Sequence, residues 1–191
     1  LPPRRRRSYG CVMSAALPVN RACLALSLRR WRLLNRVKQA ALADDMGVSQ
    51  TTVSRWETGA LVPDRREARR LTQLLSARPT SASDRALVEL VSAAGRPAHL
   101  ICDLTHRLLA VSPARRAEWR VPAKDLIGTP LWRFATQGIE TGETCLAAAG
   151  WYEPIAPGVR IETERAEFRE LTIRAGEVRY ARLPLSDGSF A

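Results

Sequence analysis

Lysine is almost missing from this chain of 191 residues, with only Lys38 and Lys124 among 30 Lys+Arg. Histidine is equally scarce, at His99 and His106. The four cysteines, Cys11, Cys23, Cys102 and Cys145, contain no C-x-x-C pair. Together these shortages exclude a zinc site and a disulfide framework, and the cysteines read as reduced, mostly buried small residues. No apolar run approaches the roughly 18 residues needed to cross a bilayer. There is also no G-x-S-x-G, no P-loop and no cluster of metal-ligand residue types. The carboxylates of ETERAEFRE, residues 162–170, read as a solvated strand or loop. No enzyme and no metal are expected, and the reading is of a cytoplasmic protein without membrane contact.

What the chain has in excess is arginine, and its position matters. The formal net charge is +11. Residues 1–78 carry 16 Lys+Arg against 5 Asp+Glu, while residues 79–191 carry 14 of each. A merely basic composition would spread the excess evenly. The asymmetry implies two modules, one of which meets a polyanion, with nucleic acid the first candidate. Residues 1–20 show no periodic pattern and read as a disordered basic arm. Arg4 to Arg7 are either an arm for DNA phosphates or residues ahead of a native start at Met13 that do not belong to the native protein. A twin-arginine export signal is excluded, because Pro18, Asn20 and Arg21 interrupt the following stretch.

Helical spacing begins next. Leu24, Leu28, Trp31 and Leu34 recur in steps of 4, 3 and 3 and make one face, with Arg29, Arg30 and Arg32 off it. Leu42, Ala43 and Met46 form a short apolar stripe. Gly47 follows, a residue able to take positive φ where a helix must end. Ser49 is a good N-cap for a helix over 50–57. Val48, Val53 and Trp56 are its inward positions, and Gln50, Thr51, Ser54 and Arg55 face out. Gly59 ends it, and Pro63 precedes DRREARRLTQLL, with Ala68, Leu71, Leu74 and Leu75 inward.

These residues resemble the five-helix Cro/CI-type helix-turn-helix domain of the XRE family of transcriptional regulators, over 24–76 in a domain of 21–76. Gln39 opens the family pattern. Small Ala43 stands where two helices nearly touch, Gly47 at the turn, and Leu42, Val53 and Trp56 in the core. VSQTTVSRWETGALVPD is the family's typical run through its third helix and the next loop. The resemblance implies that helix 50–57 enters the major groove of double-stranded DNA. Gln50 would pair with adenine, Arg55 with guanine, and Thr51 would meet a thymine methyl. Gln39, Thr52, Thr58, Lys38 and Arg66 are the implied phosphate contacts. Glu57 reads as a hydrogen-bond partner for the following loop. Some domains of this kind serve instead as protein-interaction adaptors or antitoxin-like partners. An outward Gln/Thr/Arg face on a module with 12 basic and 5 acidic residues over 21–78 favours DNA.

Residues 77–83 are small, polar and proline-bearing, and read as a linker. A short helix over Asp84 to Ala94 follows, ended by Gly95, with Leu87, Leu90 and Val91 on one side. Two β-runs, 98–102 and 107–111, flank a turn at Asp103 to His106. ARRAEW is helical, and FRELTIR and EVRYARLPL read as paired strands around a turn at Ala175–Gly176. The class is α+β: an all-α N-terminal module, then an α+β module with a small antiparallel sheet.

Residues 84–191 resemble a PAS domain, on ICDLTHRLLAVSPARRAEWRVPAKDLIGTPLW and the later FRELTIRAGEVRYARLPLSDGSF. Ser112 departs from the usual Asn, and the family pattern carries one strand more than this chain. Ligand-binding domains of MmyB-type regulators are close relatives of the same pattern. The resemblance implies a homodimer and leaves a small-molecule effector open. No cofactor is expected: neither His99 nor His106 lies on a haem-ligand helix, and Cys145 lacks the flavin-adduct motif. Trp119, Trp132 and Trp151 read as core or interface. The self-cleaving serine peptidase carried by many such repressors needs a buried lysine base, and Lys124 lies in a polar loop.

Overall fold

The computed structural model describes residues 19–153 and 155–191. The expected arm of residues 1–20 lies outside these, save for Val19 and Asn20, which open the first helix. Cys11 lies outside as well. The fold is mixed, with seven α-helices and small antiparallel sheets among the described residues.

Four helices build the first module: α1 (Val19–Leu34), α2 (Gln39–Met46), α3 (Gln50–Glu57) and α4 (Arg65–Leu75). Their ends follow from local chemistry. Gly47 stops α2 with φ 71°, a left-handed conformation that a side chain would resist. Ser49 starts α3, its hydroxyl accepting from the Thr52 N–H at 3.1 Å. Asp64 and Glu67 form a reciprocal capping box on α4, both bonds 2.7 Å long. Leu28, Leu42, Ala43, Met46, Val53, Trp56, Leu71 and Leu75 pack as one buried core, with Leu24 and Trp31 against it.

A fifth helix does not join that bundle. α5 (Ala82–Ser92) begins two residues before the expected start and packs on β1 and β2 of the second module. The stretch 77–83 is held down rather than loose. Ala77 is buried and donates its N–H to Cys102 Sγ at 3.2 Å, and the Arg78 N–H reaches Asp187 at 3.1 Å. Ser81 caps α5 in a box with Asp84. Asp84 is buried and also accepts from the Ser186 N–H and hydroxyl, so one carboxylate ties the inter-module stretch to the C-terminal end. A polar, proline-bearing sequence suits a linker, but this one spends its polar groups on fixed partners.

The second module opens with an antiparallel pair, β1 (His99–Ile101) and β2 (Leu108–Val111), Leu100 opposite Ala110. After α6 (Pro113–Arg116) and two single 3-10 turns comes α7 (Gln137–Cys145). Then follow β3 (Val159–Thr163), β4 (Ala166–Glu167), β5 (Thr172–Ile173) and β6 (Gly176–Tyr180). Helix α7 lies so close to β3 that a Cβ on Gly142 would collide with the Ile161 side chain. The expected pairing of FRELTIR with EVRYARLPL does not form. β6 pairs with β3, Ile161 opposite Val178, and β5 pairs with β4. The reason is that Phe168 and Leu171 close a tight turn, the Phe168 N–H bonding Leu171 O at 2.9 Å. Both join a core with Leu108, Leu126 and Phe134. Among the described residues the strands make three two-stranded ladders rather than one sheet. Cys102 is buried and Cys145 half-buried.

The two modules touch through the β1–β2 turn and α1. The Ser27 hydroxyl donates to Leu104 O at 2.8 Å, and the Leu104 side chain packs against the helical core. Arg30 pairs with Glu143 of α7 at 3.2 Å and lies 4.5 Å over the Tyr152 ring. Glu143 also meets His106 at 3.5 Å.

Candidate nucleic-acid interface

α3 has two unlike faces because Val53 and Trp56 recur three residues apart and are buried. Gln50, Thr51 and Arg55 therefore fall on the outside, and all three are exposed. Among the described residues their side chains make no hydrogen bond or ion pair, so their donors and acceptors are available to a partner. Leu42 and Ala43 are buried beneath, where α2 passes α3, and Gly47 occupies the turn between them.

The other candidate residues are placed variously. Lys38 is exposed at the N-cap position of α2, and Arg66 is exposed in the first turn of α4. Thr52 is half-buried, its hydroxyl 2.9 Å from that of Ser49. Thr58 is exposed, but its hydroxyl turns back to Ser54 O and Arg55 O at 3.1 and 3.2 Å. Gln39 stands at the start of α2, yet its side-chain amide donates to Glu57 at 2.9 Å. The α2 backbone N–H groups, and not that amide, remain to face an anion there.

Glu57 is where the structure departs most from expectation. It does not serve the loop that follows it. Its carboxylate is buried and accepts from Arg32 of α1 through both oxygens, at 2.6 and 2.9 Å, as well as from Gln39. Arg32 gives a further bond to Val37 O at 3.1 Å. Burial would raise the Glu57 carboxyl, but the Arg32 and Gln39 hydrogen bonds outweigh it and hold the group below its ordinary value. The Glu57 hydrogen bond raises Arg32 in turn. This cluster joins α1, the start of α2 and the end of α3, and so sets the angle of the exposed face.

Further arginines were not singled out by sequence. Arg70 donates to Asp45 O and Met46 O at 2.7 and 3.2 Å and so satisfies carbonyls at the end of α2. Arg65 and Arg69 are exposed on α4, as are Arg29 and Arg36 at the end of α1 and just beyond it. The clustering of Arg at 65, 66, 69 and 70 was the available signal for them. No group of His, Cys, Asp or Glu among the described residues could hold a metal ion.

A capped α2, a left-handed glycine turn and an α3 with an exposed polar face form two helices joined by a tight turn. Residues 24–86 match the family model of a helix-turn-helix domain. The match covers the four-helix bundle and the first turns of α5 and ends there. No curated protein and no solved structure matches the chain. The helix-turn-helix domain points to a DNA-binding regulator. No helix among the described residues is long and apolar enough to cross a membrane.

Proposed function

We propose that this chain is a sequence-specific, DNA-binding transcriptional regulator of the Cro/CI type. The observation that supports it is the exposed Gln50, Thr51 and Arg55 on the helix that follows the helix-turn-helix turn. In the major groove Gln50 offers an amide for adenine, Arg55 a guanidinium for guanine, and Thr51 a methyl and a hydroxyl. Lys38, Arg66, Thr52, Thr58 and the α2 N-terminus at Gln39 meet phosphates, which fix the register without reading sequence. For Thr58 this requires its hydroxyl to exchange its internal bonds for a phosphate oxygen.

The chain works as a homodimer on a two-fold or repeated site, with the PAS-like second module joining the copies or sensing an effector. Selection of bound duplexes from a random pool, with the purified full chain at near-physiological salt, tests the reading. An enriched two-fold motif supports it. Salt-sensitive background binding without enrichment overturns the base-reading role and favours a regulator that acts through a protein partner.

A further inference from the structure

Beside the helix-turn-helix core lies a cleft of about 400 Å³, walled by both modules. That size lies in the range that holds a small molecule. Trp56 of α3 and Trp132 of the second module both line it, and Pro63 and Pro130 add further flat surface. Exposed Leu61 and Val62 are also part of its wall. Among the described residues that line it, only Arg107 carries a charge.

Arg107 is half-buried, and none of the ion pairs among the described residues includes it. One nitrogen, Nη1, donates to Gly128 O, while Nε is buried without a partner. A half-buried guanidinium with no counter-ion is unfavourable, and a carboxylate entering beside it would relieve that cost. The same wall carries more unspent polar groups. Seven buried side-chain nitrogen or oxygen atoms lack a partner among the described residues. Four of these, Trp56 Nε1, Thr105 Oγ1, Arg107 Nε and Trp132 Nε1, belong to residues that line this cleft. They are covered by their neighbours, so a ligand oxygen reaches them only after small side-chain rotations.

We propose that this inter-module cleft binds a small aromatic carboxylate. The half-buried Trp132 indole and the proline walls take the planar ring, with Trp56 buried beneath, and Arg107 takes the carboxylate. The site adds a ligand to the regulator reading. Its test contains no DNA, so the two fail separately.

The test is a titration of the full chain, labelled with ¹⁵N, using 2-naphthoate, with 2-naphthalenemethanol as its uncharged counterpart. The indole N–H signals of Trp56 and Trp132 are followed. The expected result is a saturable shift of both, with the Trp119 signal unmoved. The alcohol should bind about tenfold or more weakly, and Arg107→Met should weaken the acid by about the same factor. Shifts that never saturate, equal binding of acid and alcohol, or movement of Trp119 in place of Trp132 would overturn the site. The acid–alcohol comparison on the unaltered chain decides the matter even if the Arg107 variant does not fold.

Discussion

Arg32 and Glu57 face each other as a two-pronged ion pair, at 2.6 and 2.9 Å, between the first helix and the end of the third. Neither residue is needed on the outside of the domain, yet the outside depends on them. The pair ties the end of α3 to α1, and so helps to hold the roll that the burial of Val53 and Trp56 sets. Replacing Arg32 by Met strands a buried carboxylate and should cost about 3 kcal/mol of stability. The pH dependence has a definite sign. Because the folded Glu57 carboxyl lies below its ordinary value of 4.5, its contribution is present above about pH 4.5 and is lost as the pH falls through the lowered value. Chemical denaturation at several pH values should show that acid loss in the unaltered chain. Glu57→Gln should flatten it, and an unchanged slope would mean that the pair is not a source of stability.

Arg55 is exposed and has no partner side chain among the described residues. If it reads a guanine, Arg55→Ala costs about 1–3 kcal/mol of binding on the preferred site and relaxes the choice at one base position. Binding measured across a set of single-base site variants shows which. An equal loss on every sequence would make Arg55 a phosphate contact instead.

Lys38 and Arg66 sit at the two helix starts, both exposed. Removing either charge should weaken binding about uniformly across sequences. Each removal should also reduce the slope of log K against log salt by about 1. A slope that stays put removes that residue from the phosphate set.

His99 lies on β1, and burial, helped by the charge of Arg115, pushes its imidazole down to about 4. The folded state then holds this ring neutral between its ordinary value of 6.5 and about 4, while the unfolded chain protonates. Stability should therefore fall as the pH drops through that window. The imidazole proton signals of His99 should titrate near 4. Titration at 6.5 would place the ring in water.

Asp84 accepts from Ser81, Thr80 and Ser186, and the Ser186 hydroxyl heads the causes that hold its carboxyl below the usual range. Asp84→Ala should speed amide exchange at Thr80, Ser81 and Ser186 together while leaving Val53 and Trp56 protected. Faster exchange at Ser81 alone would mean that only the helix cap was lost.

The helical module was legible because its signals are local. Ser49, Gly47, Asp64 and Glu67 each act on backbone within a few residues, and Val53 and Trp56 mark one face by spacing alone. The strand pairing was less legible, because it depends on residues far apart. Nothing within FRELTIR distinguishes apolar residues that line a strand from Phe168 and Leu171, which close a turn. Nor does VRIET announce that its partner is β6. Arg32 was hidden for another reason: an arginine off an apolar stripe looks like solvated surface, and only the meeting of α1 with α3 turns it into half of a buried pair. That the stretch 77–83 is held in place was not legible from composition, since its serines, threonine and proline suit a tether and a helix cap equally.

Leu104 belongs to the second module by sequence and to the first by packing. The helical core is thus completed by a side chain from outside it, and the same residue also touches the second module's own core. Two modules that share a packing residue are coupled in stability, because each loses a partner when the other opens. A cut that separates them leaves the bundle with a hollow where Leu104 stood. Whatever loosens the β1–β2 turn then takes a packing partner from the helical core, a route by which the far half of the chain bears on the near half.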